Sequence, residues 1–229
     1  MNDYSQFGEQ AAITAPFLIQ PGGAITGQGR VLDIGAWHPT KFSNSRALIE
    51  AGWEAVLIEP TPGNMINLAA ACLACGHVPD ATYGNRYQPT PHCEGSISYG
   101  FSSRITLLQV AVHTVAGLEP MYVSDDAIST GNMDEMERWK AVGGYYGQVY
   151  IPAITLEQIA NQFGGFDVWN IDAEGGSAEL FLQMLMEGHR PTVVCVEHDG
   201  RTTELLNAAT AEGYVATLVN STNIVVVRR

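Results

Sequence analysis

The chain has 229 residues, of which 46% are hydrophobic and 15% charged, so it can bury a core and is not compositionally disordered. Its 24 acidic residues outnumber 11 basic ones, the formal net charge is −13, and the basic residues are scattered along the chain. Because such a field repels a phosphate backbone, the composition argues against a nucleic-acid substrate.

The remaining composition argues against membrane and secreted proteins. No apolar run approaches the roughly 18–20 residues that a membrane-spanning helix needs. The first residues lack the basic start and apolar stretch of a signal peptide. The four cysteines suggest no disulfide framework, so we expect a cytoplasmic protein without a membrane partner.

The first half of the chain alternates apolar runs with amphipathic stretches, which is typical of a parallel α/β sheet. The pattern predicts strands over residues 30–36, 54–59, 105–112 and 119–123, and helices over residues 43–51, 63–75 and 134–141. Residues 76–104 carry three prolines and many polar residues, and they are interpreted as an insertion in a single domain that spans residues 1–229.

The second half continues the alternation and ends in a pair of strands. Thr155 is the expected N-cap of a helix that buries Leu156, Ile159 and Ala160. Further strands are predicted at 148–154, 166–171 and 192–197, with helices at 177–186, which Gly188 ends, and 201–212. The last two strands, 214–219 and 223–227, are close enough to form an antiparallel hairpin.

Two acids mark a nucleotide-type site. Asp33 precedes Gly35 at the end of the first strand, where glycine allows a sharp turn and close approach of a ligand. Glu59 ends the second strand, and a carboxylate there can accept hydrogen bonds from a ribose diol. The spacing of about 25 residues suits one strand–helix–strand unit, so a bound adenosine is favoured over two solvated acids.

Two ligands compete for this site. A nicotinamide dinucleotide is disfavoured because the loop after the first strand is not G-x-G-x-x-G. Pro39 also removes one backbone N–H that a pyrophosphate could use. A donor without phosphates, such as S-adenosylmethionine, does not need that cradle.

Several ordered blocks resemble the FkbM-type methyltransferases over most of the chain. The blocks are Tyr4-Ser5-Gln6-Phe7-Gly8-Glu9, Asp33-Ile34-Gly35-Ala36-Trp37-His38-Pro39, Phe42-Ser43-Asn44-Ser45, Gly52-Trp53, Ile58-Glu59-Pro60-Thr61-Pro62, Ala111-Val112, Thr155-Leu156 and Ile171-Asp172-Ala173-Glu174-Gly175. The chain departs from the family at Gln10, where an aspartate is more usual, and in the length of residues 76–104.

The resemblance implies a class I methyltransferase (Rossmann-like) fold, with a mostly parallel seven-stranded sheet and a C-terminal antiparallel hairpin. It implies S-adenosyl-L-methionine as cofactor, with Asp33 near its methionine part and Glu59 near its ribose. An N-terminal block that includes Gln6 and Glu9 would close over the site. The cofactor-binding residues expected on this basis are Gln6, Asp33, Gly35, Ala36, His38, Ser43, Asn44, Glu59, Pro60, Ala111 and Asp172.

Catalytic candidates follow the later strands, beside the expected donor methyl. His198 is the natural general base for a hydroxyl because its ordinary pKa is near neutral, although a surface histidine in a turn is an equal alternative. Asp172 and Glu174 are the other candidates, and for Glu174 a structural role in capping the following helix is favoured. Asp172, Glu174 and Glu197 could instead hold a divalent ion, which is not favoured.

A zinc site and an aromatic segment are weaker hypotheses. Cys72, Cys75 and His77, followed by His92 and Cys93, could supply zinc ligands, but the first two cysteines fall in a predicted helix and suit a core. Cys195 is expected in the core. The segment with Trp139, Tyr145 and Tyr146 is expected to cover the surface unless it borders the cofactor pocket.

The sequence therefore predicts an S-adenosylmethionine-dependent O-methyltransferase whose partner is a saccharide, a glycan precursor or another small hydroxylated metabolite. Two alternatives stay open: an NAD-dependent oxidoreductase, and a cofactor-binding scaffold without catalysis.

Overall fold

The computed structural model describes residues 2–74, 80–81, 104–124, 128–141 and 144–229. The strands are β1 (Arg30–Ile34), β2 (Glu54–Ile58), β3 (Asp80–Ala81), β4 (Ile105–Leu108), β5 (Ala111–Val112), β6 (Gly117–Ser124), β7 (Tyr145–Ile154), β8 (Val168–Ile171), β9 (Val193–Glu197), β10 (Tyr214–Val219) and β11 (Asn223–Arg228). The helices are α1 (Glu9–Thr14), α2 (Arg46–Glu50), α3 (Pro62–Ala74), α4 (Met133–Trp139), α5 (Leu156–Phe163), α6 (Ser177–Met186) and α7 (Thr202–Ala211), with a 3-10 turn at Ala15–Phe17. None of these helices is both long and apolar enough to cross a membrane.

The main sheet has the order β3-β4-β2-β1-β8-β9-β11-β10. Its strands are parallel except β11, which runs antiparallel to both β9 and β10. The prediction of a mostly parallel seven-stranded sheet with a C-terminal antiparallel hairpin is confirmed, and the two-residue β3 extends its edge. The strand order reverses between β1 and β8, and α/β sheets bind ligands at such a point.

A second sheet of three strands, in the order β5-β7-β6, lies outside the main one. The predicted single strand over residues 105–112 is wrong because the chain leaves the main sheet after Leu108 and joins β7 at Ala111. Both parts are apolar and short, so their hydrophobic pattern alone could not separate them.

The central strands are buried on both faces. Val168–Ile171 is buried throughout, as are four of the five residues of β9. One core lies on the face covered by α5, α6 and α7, and the other lies on the face covered by α1, α2 and α3. Burial of both faces explains why these strands are continuous apolar runs.

Helix α1, for which the sequence provided no prediction, packs against β9, β11 and α2. It follows Gly8, whose φ of 87° turns the chain into the helix. The first residue of the helix, Glu9, is fully buried. The N-terminal segment is thereby fixed on the carboxyl edge of the main sheet.

Two helix ends agree with the prediction from the sequence, and a third differs from it. Thr155 and Gln158 form a complete capping box at the start of α5, and Gly188, with φ of 80°, follows α6. The expected capping of α6 by Glu174 is wrong. The Asp199 carboxylate accepts instead from Ala178 N, in the first turn of α6, at 2.8 Å. An acid from the next strand reaches this position because β8 and β9 are neighbours.

Candidate functional site

The loops after β1 and β2 meet at the carboxyl edge of the main sheet. The backbone N–H groups of Gly35 and Ala36 both donate to the Ile58 carbonyl, at 2.9 and 3.0 Å. One residue later, Trp37 N donates to the Glu59 carboxylate at 3.1 Å. These contacts join the Gly35 turn to Glu59, the two features from which the sequence predicted one site.

Gly35 occupies a position that only glycine fits. Its φ is +81°, and a Cβ atom there would lie 1.8 Å from the carbonyl oxygen of Asp172. Asp172 N in turn donates to the Ile34 carbonyl. The turn after β1 therefore packs directly on the residue that follows β8.

The Glu59 carboxylate is 4% exposed and holds three chain segments together. Besides Trp37 N, it accepts from Thr61 N at 2.7 Å and from Asn64 Nδ2 at 3.4 Å, both through Oε1. Burial raises the pKa of Glu59, and these hydrogen bonds act in the opposite direction. Since each carboxylate oxygen accepts about two hydrogen bonds, Oε2 has capacity for a ligand hydroxyl.

Asp33 faces the protein's own side chains. Its two carboxylate oxygens accept from Ser45 Oγ at 2.5 Å and from Asn170 Nδ2 at 2.8 Å. Burial raises the pKa of Asp33, while these two hydrogen bonds lower it. The contacts tie β1 to β8 and to the start of α2, so they hold the first loop in place. Cofactor contact by Asp33 stays a prediction.

Asn44 extends this buried network. Its amide nitrogen donates to Asn170 Oδ1 at 3.0 Å and to Cys195 Sγ at 3.6 Å. Its amide oxygen is buried and has no hydrogen-bond partner within the part of the chain that the structure describes. An unpaired buried acceptor costs free energy, so this oxygen is suited to a ligand that brings a donor.

Asp172 and Glu197 lie side by side at the ends of neighbouring strands. The last register pair of β8 and β9 is Ile171 with Val196, and the two acids come next. The two carboxyl groups lie close enough for each to affect the pKa of the other. Burial raises both pKa values well above the usual carboxyl range, and repulsion from neighbouring acids adds to this rise. Glu174 and Asp33 act on Asp172, and Asp172 acts on Glu197.

More acids surround this pair. Glu174 and Asp199 follow the same two strands, and the pKa of each is raised, first by burial. Both residues adopt positive φ, 38° and 48°. Trp37 and Phe42, in the loop after β1, are the other two non-glycine residues with positive φ in the described ranges. Backbone strain thus clusters at this edge, as it commonly does at functional sites.

The segment around α4 borders the same edge. Thr130 Oγ1 donates to the Glu174 carbonyl at 2.6 Å, and Asn132 Nδ2 donates to the Gly175 carbonyl at 3.3 Å. The Asn132 side chain also caps α4. In the aromatic segment that the sequence assigned to surface coverage, burial and then the charge of Glu174 raise the pKa of Tyr145, so this residue lies near the site. Residues 142–143 and the Tyr146 side chain lie outside the described residues.

The other predicted site residues lie around this centre. Gln6 is exposed in the segment before α1, Pro60 is half-buried after β2, and Ala111 begins the second sheet. His38 Nδ1 accepts from Lys41 N at 2.9 Å, and burial, with the charge of Lys41, lowers the pKa of His38. Ser43 is buried and its N–H donates to the Tyr4 carbonyl.

His198 is half-buried next to Glu197. Its Nδ1 accepts from Gly200 N at 3.0 Å, and its backbone N–H donates to the Thr222 carbonyl. One ring nitrogen therefore takes part in the local turn, as expected for the structural alternative. Its role as a general base stays a prediction.

Metal ligands are not grouped at this edge. Across residues 2–74, 80–81, 104–124, 128–141 and 144–229, no three His, Cys, Asp or Glu side chains could jointly hold a metal ion. Of the zinc candidates, Cys72 is buried in α3, and Cys75, His77, His92 and Cys93 lie outside the described residues. Cys195 is buried in β9, which confirms its expected place in the core.

Sequence reasoning missed Asn170 and Ser45, which hold Asp33. A signal was present for Asn170, since a polar residue within the apolar run Val168–Ile171 needs a buried partner. Ser45 belongs to the quoted block Phe42-Ser43-Asn44-Ser45, but nothing in its residue type indicated a contact with Asp33.

The strand order, the antiparallel last strand and the turn after β1 define the class I methyltransferase fold. The crystal structure of methyltransferase FkbM from Methylobacillus flagellatus KT is similar, with a TM-score of 0.51 and 14% identity. That similarity covers 88% of this chain and 44% of the other, so the chain spans under half the length of that protein.

Two further structures are more distant. An O-methyltransferase from Bacillus cereus in complex with SAH has a TM-score of 0.42 and 12% identity, over 97% of this chain and 82% of that one. The precorrin-6y C5,15-methyltransferase from Geobacter metallireducens GS-15 has a TM-score of 0.39 and 11% identity, over 100% and 92%. No protein-family model and no curated protein sequence matches the chain.

Proposed function

We propose that this protein is an S-adenosylmethionine-dependent methyltransferase that acts on a hydroxyl oxygen of a saccharide or another small metabolite. The observation that carries the proposal is the contact of the Glu59 carboxylate with the loop after β1, at the carboxyl edge of a class I sheet. Ligands of such sheets bind beyond the strand ends near the reversal of strand order. The fold shared with methyltransferase FkbM supports the same reaction class.

Two acceptor atoms in the site suit this donor. Glu59 Oε2 has capacity for a ribose hydroxyl, and the unpaired Asn44 amide oxygen suits an ammonium group. Both belong to buried, hydrogen-bonded side chains, so their positions are set before a ligand arrives.

The charge at the edge also favours this donor over a dinucleotide. Asp172, Glu174, Glu197 and Asp199 place acidic groups beside the Gly35 turn. A pyrophosphate would meet these acids without a glycine-rich cradle, whereas a sulfonium cation would be attracted to them. NAD-dependent oxidoreduction is therefore the weaker alternative.

S-adenosylmethionine supplies a methyl group on a positively charged sulfur, which is open to direct displacement. The chain's own residues must align the acceptor hydroxyl and take its proton. The candidates for that proton are acids after β8 and β9, and His198, which follows the end of β9. The acceptor would approach along the side bordered by α4, where Asn132 contacts Gly175.

Substitution of Glu59 tests the donor site. We expect Glu59→Gln to weaken binding of S-adenosylhomocysteine by about tenfold, or about 1.4 kcal/mol, because an amide keeps one acceptor oxygen where the carboxylate has two. Isothermal titration calorimetry measures this change. Glu54→Gln is the matched control, since Glu54 begins the same strand, is exposed and pairs with Arg30.

The same titration separates the competing functions. Binding of NAD and not of S-adenosylhomocysteine or S-adenosylmethionine, by folded protein, would contradict the proposal. Binding of the adenosyl ligands that is unchanged in Glu59→Gln would remove Glu59 from the site. Thermal unfolding of each variant checks that weaker binding is not a loss of fold.

A further inference from the structure

The parallel register brings two carboxyl groups together. Asn170 pairs with Cys195 in β8 and β9, and Asp172 and Glu197 each lie two positions further on, on the same face of the sheet. Neighbouring strands are about 4.8 Å apart, so side chains at equivalent positions touch. The effect of each carboxyl group on the pKa of the other agrees with this placement.

Two ionised carboxylates at such adjacent positions repel each other, and a proton shared between them replaces this repulsion with a hydrogen bond. The charged neighbours that act most on the pair are also acids: Asp33 from β1, Glu174 after β8 and Asp199 after β9. Farther from the pair, the charges of Glu135 and Arg138 in α4 affect the pKa of Glu174. The charge of Glu179 in α6 affects the pKa of Asp199. Arg138 pairs with Glu135 and Arg201 pairs with Glu179, so each arginine is shared with another acid, and the acids around the pair favour a proton on it.

A second observation is a buried acceptor without a partner near this pair. The Asn44 amide donates to Asn170 and to Cys195. These two residues precede Asp172 and Glu197 by two positions, on the same face of the sheet. Asn44 is only 7% exposed, and its amide oxygen has no hydrogen-bond partner among the described residues. A ligand that carries a positively charged donor would satisfy this oxygen and compensate the acids.

We propose that Asp172 and Glu197 share a proton in the unliganded protein, and that a cationic ligand bound beside them expels it to solvent. The proposal rests on the proposed function for the identity of that ligand, S-adenosylmethionine, whose ammonium group would satisfy the Asn44 oxygen and whose sulfonium charge would compensate the pair. The sulfonium charge takes the place of the proton, since both stabilise the same carboxylates.

The expelled proton prepares the pair for the transfer step. The ionised pair takes the proton of the acceptor hydroxyl as the oxygen forms its bond to the methyl carbon. The carbon–sulfur bond breaks with its electron pair on sulfur, which leaves a neutral thioether. The transferred hydroxyl proton then restores the shared-proton state, so the pair begins each cycle in the same form.

Infrared difference spectroscopy on the ligand-free protein tests the shared proton. The C=O stretch of a protonated carboxylic acid is distinct from that of a carboxylate. We expect wild-type protein to show this band near neutral pH and to lose it on alkaline titration, because the pKa of both groups is raised. The intensity of the band should fall in both Asp172→Asn and Glu197→Gln, and it should stay unchanged in Glu157→Gln, which replaces an exposed acid of α5.

Calorimetry with two ligands tests the expulsion. S-adenosylmethionine and S-adenosylhomocysteine differ by one methyl group and one positive charge. In buffers of different ionisation enthalpy near neutral pH, we expect S-adenosylmethionine to release up to one proton more than S-adenosylhomocysteine. This excess should disappear in Glu197→Gln, since an amide cannot share the proton.

The outcomes of the two experiments are distinguishable. Absence of the protonated carboxyl band from wild type, or an undiminished intensity of the band in both variants, would overturn the shared proton whatever the protein binds. Equal proton release by the two ligands would overturn the expulsion even though the donor binds. Failure of both ligands to bind, with the infrared band present, would instead overturn the proposed function.

Discussion

At the scale of single residues, the site depends on positions that no other side chain can fill. Gly35 carries a positive φ and lies against the Asp172 carbonyl, and Asn170 supplies the amide that holds one oxygen of Asp33. These residues do not need to touch a ligand to determine the shape of the site. They fix the direction in which the loop after β1 leaves the sheet.

Substitution of Gly35 by alanine tests this role. A Cβ atom at Gly35 would overlap the Asp172 carbonyl oxygen, so the loop after β1 must move away from β8. We expect Gly35→Ala to lower the free energy of unfolding by about 2 kcal/mol or more, and to weaken binding of S-adenosylhomocysteine. Chemical denaturation and calorimetry measure the two effects.

Gly63→Ala is the control, because Gly63 lies in the first turn of α3 and a Cβ atom there meets nothing within 4 Å. It should leave stability unchanged or raise it by about 0.4–1 kcal/mol. A Gly35→Ala variant as stable as the control would contradict the structural requirement at Gly35.

At the scale of elements, α1 and the hairpin of β10 and β11 act as one unit. The fully buried Glu9 carboxylate accepts from Asn220 Nδ2 and Asn223 Nδ2 through one oxygen, both at 2.8 Å, and from Phe7 N through the other. Burial acts to raise the pKa of Glu9, but these hydrogen bonds outweigh it and the net pKa is lowered. The Glu9 carboxylate thus joins the N-terminal segment to the hairpin of β10 and β11.

Substitution of Glu9 should release this segment. In Glu9→Gln an amide NH₂ group must share the space of an oxygen that accepted hydrogen bonds, so we expect a loss of about 1–3 kcal/mol. Hydrogen exchange over residues 2–14 should accelerate. The stabilisation by Glu9 is present above the ordinary carboxyl pKa and is lost as pH falls through the lowered pKa of the folded state.

Glu50→Gln is the matched control for this prediction. Glu50 also bonds the N-terminal segment, through the Tyr4 hydroxyl at 2.8 Å, but it is exposed. It should change stability by less than about 0.5 kcal/mol. Unchanged exchange over residues 2–14 in Glu9→Gln would show that apolar packing of α1 alone holds the segment.

The elements also show where sequence patterns succeed. Long amphipathic or apolar segments, such as α6 and β9, were predicted to within about a residue, because their periodicity is repeated several times. The break between β4 and β5 was not predicted, because two short apolar strands in different sheets have the same hydrophobic pattern as one longer strand. Helix α1 was missed because its six residues are too few for a period, and its stability comes from packing on β9 and β11.

At the scale of the whole molecule, the acids at the carboxyl edge couple stability to pH. The pKa of Asp172 and of Glu197 is raised, so the folded protein holds protons that the unfolded chain releases. When folding raises the pKa of an acid, the resulting stabilisation is complete below the ordinary pKa of that acid in the unfolded chain. It is lost as the pH rises through the pKa of the acid in the folded protein. The unliganded protein should therefore lose stability from about pH 5 to about pH 9.

Thermal unfolding as a function of pH measures this effect. Tm should fall toward alkaline pH in the wild type, and the slope should be smaller in Glu197→Gln, which removes one of the titrating groups. Saturation with S-adenosylmethionine should also reduce the slope, because the cation replaces the proton. An identical slope in wild type and Glu197→Gln would show that other groups carry the pH dependence.

The sequence by itself determined the mostly parallel sheet, its antiparallel end and the pairing of the Gly35 turn with Glu59. These features follow from local periodicity and from the residues at strand ends, and both can be recognised within a few neighbouring positions of the sequence. Only the tertiary structure decided that Asp33 is held by Ser45 and Asn170, that Asp199 caps α6, and that Asp172 meets Glu197. Each of these contacts joins side chains from different elements of the chain, so it depends on how those elements pack and not on a local pattern.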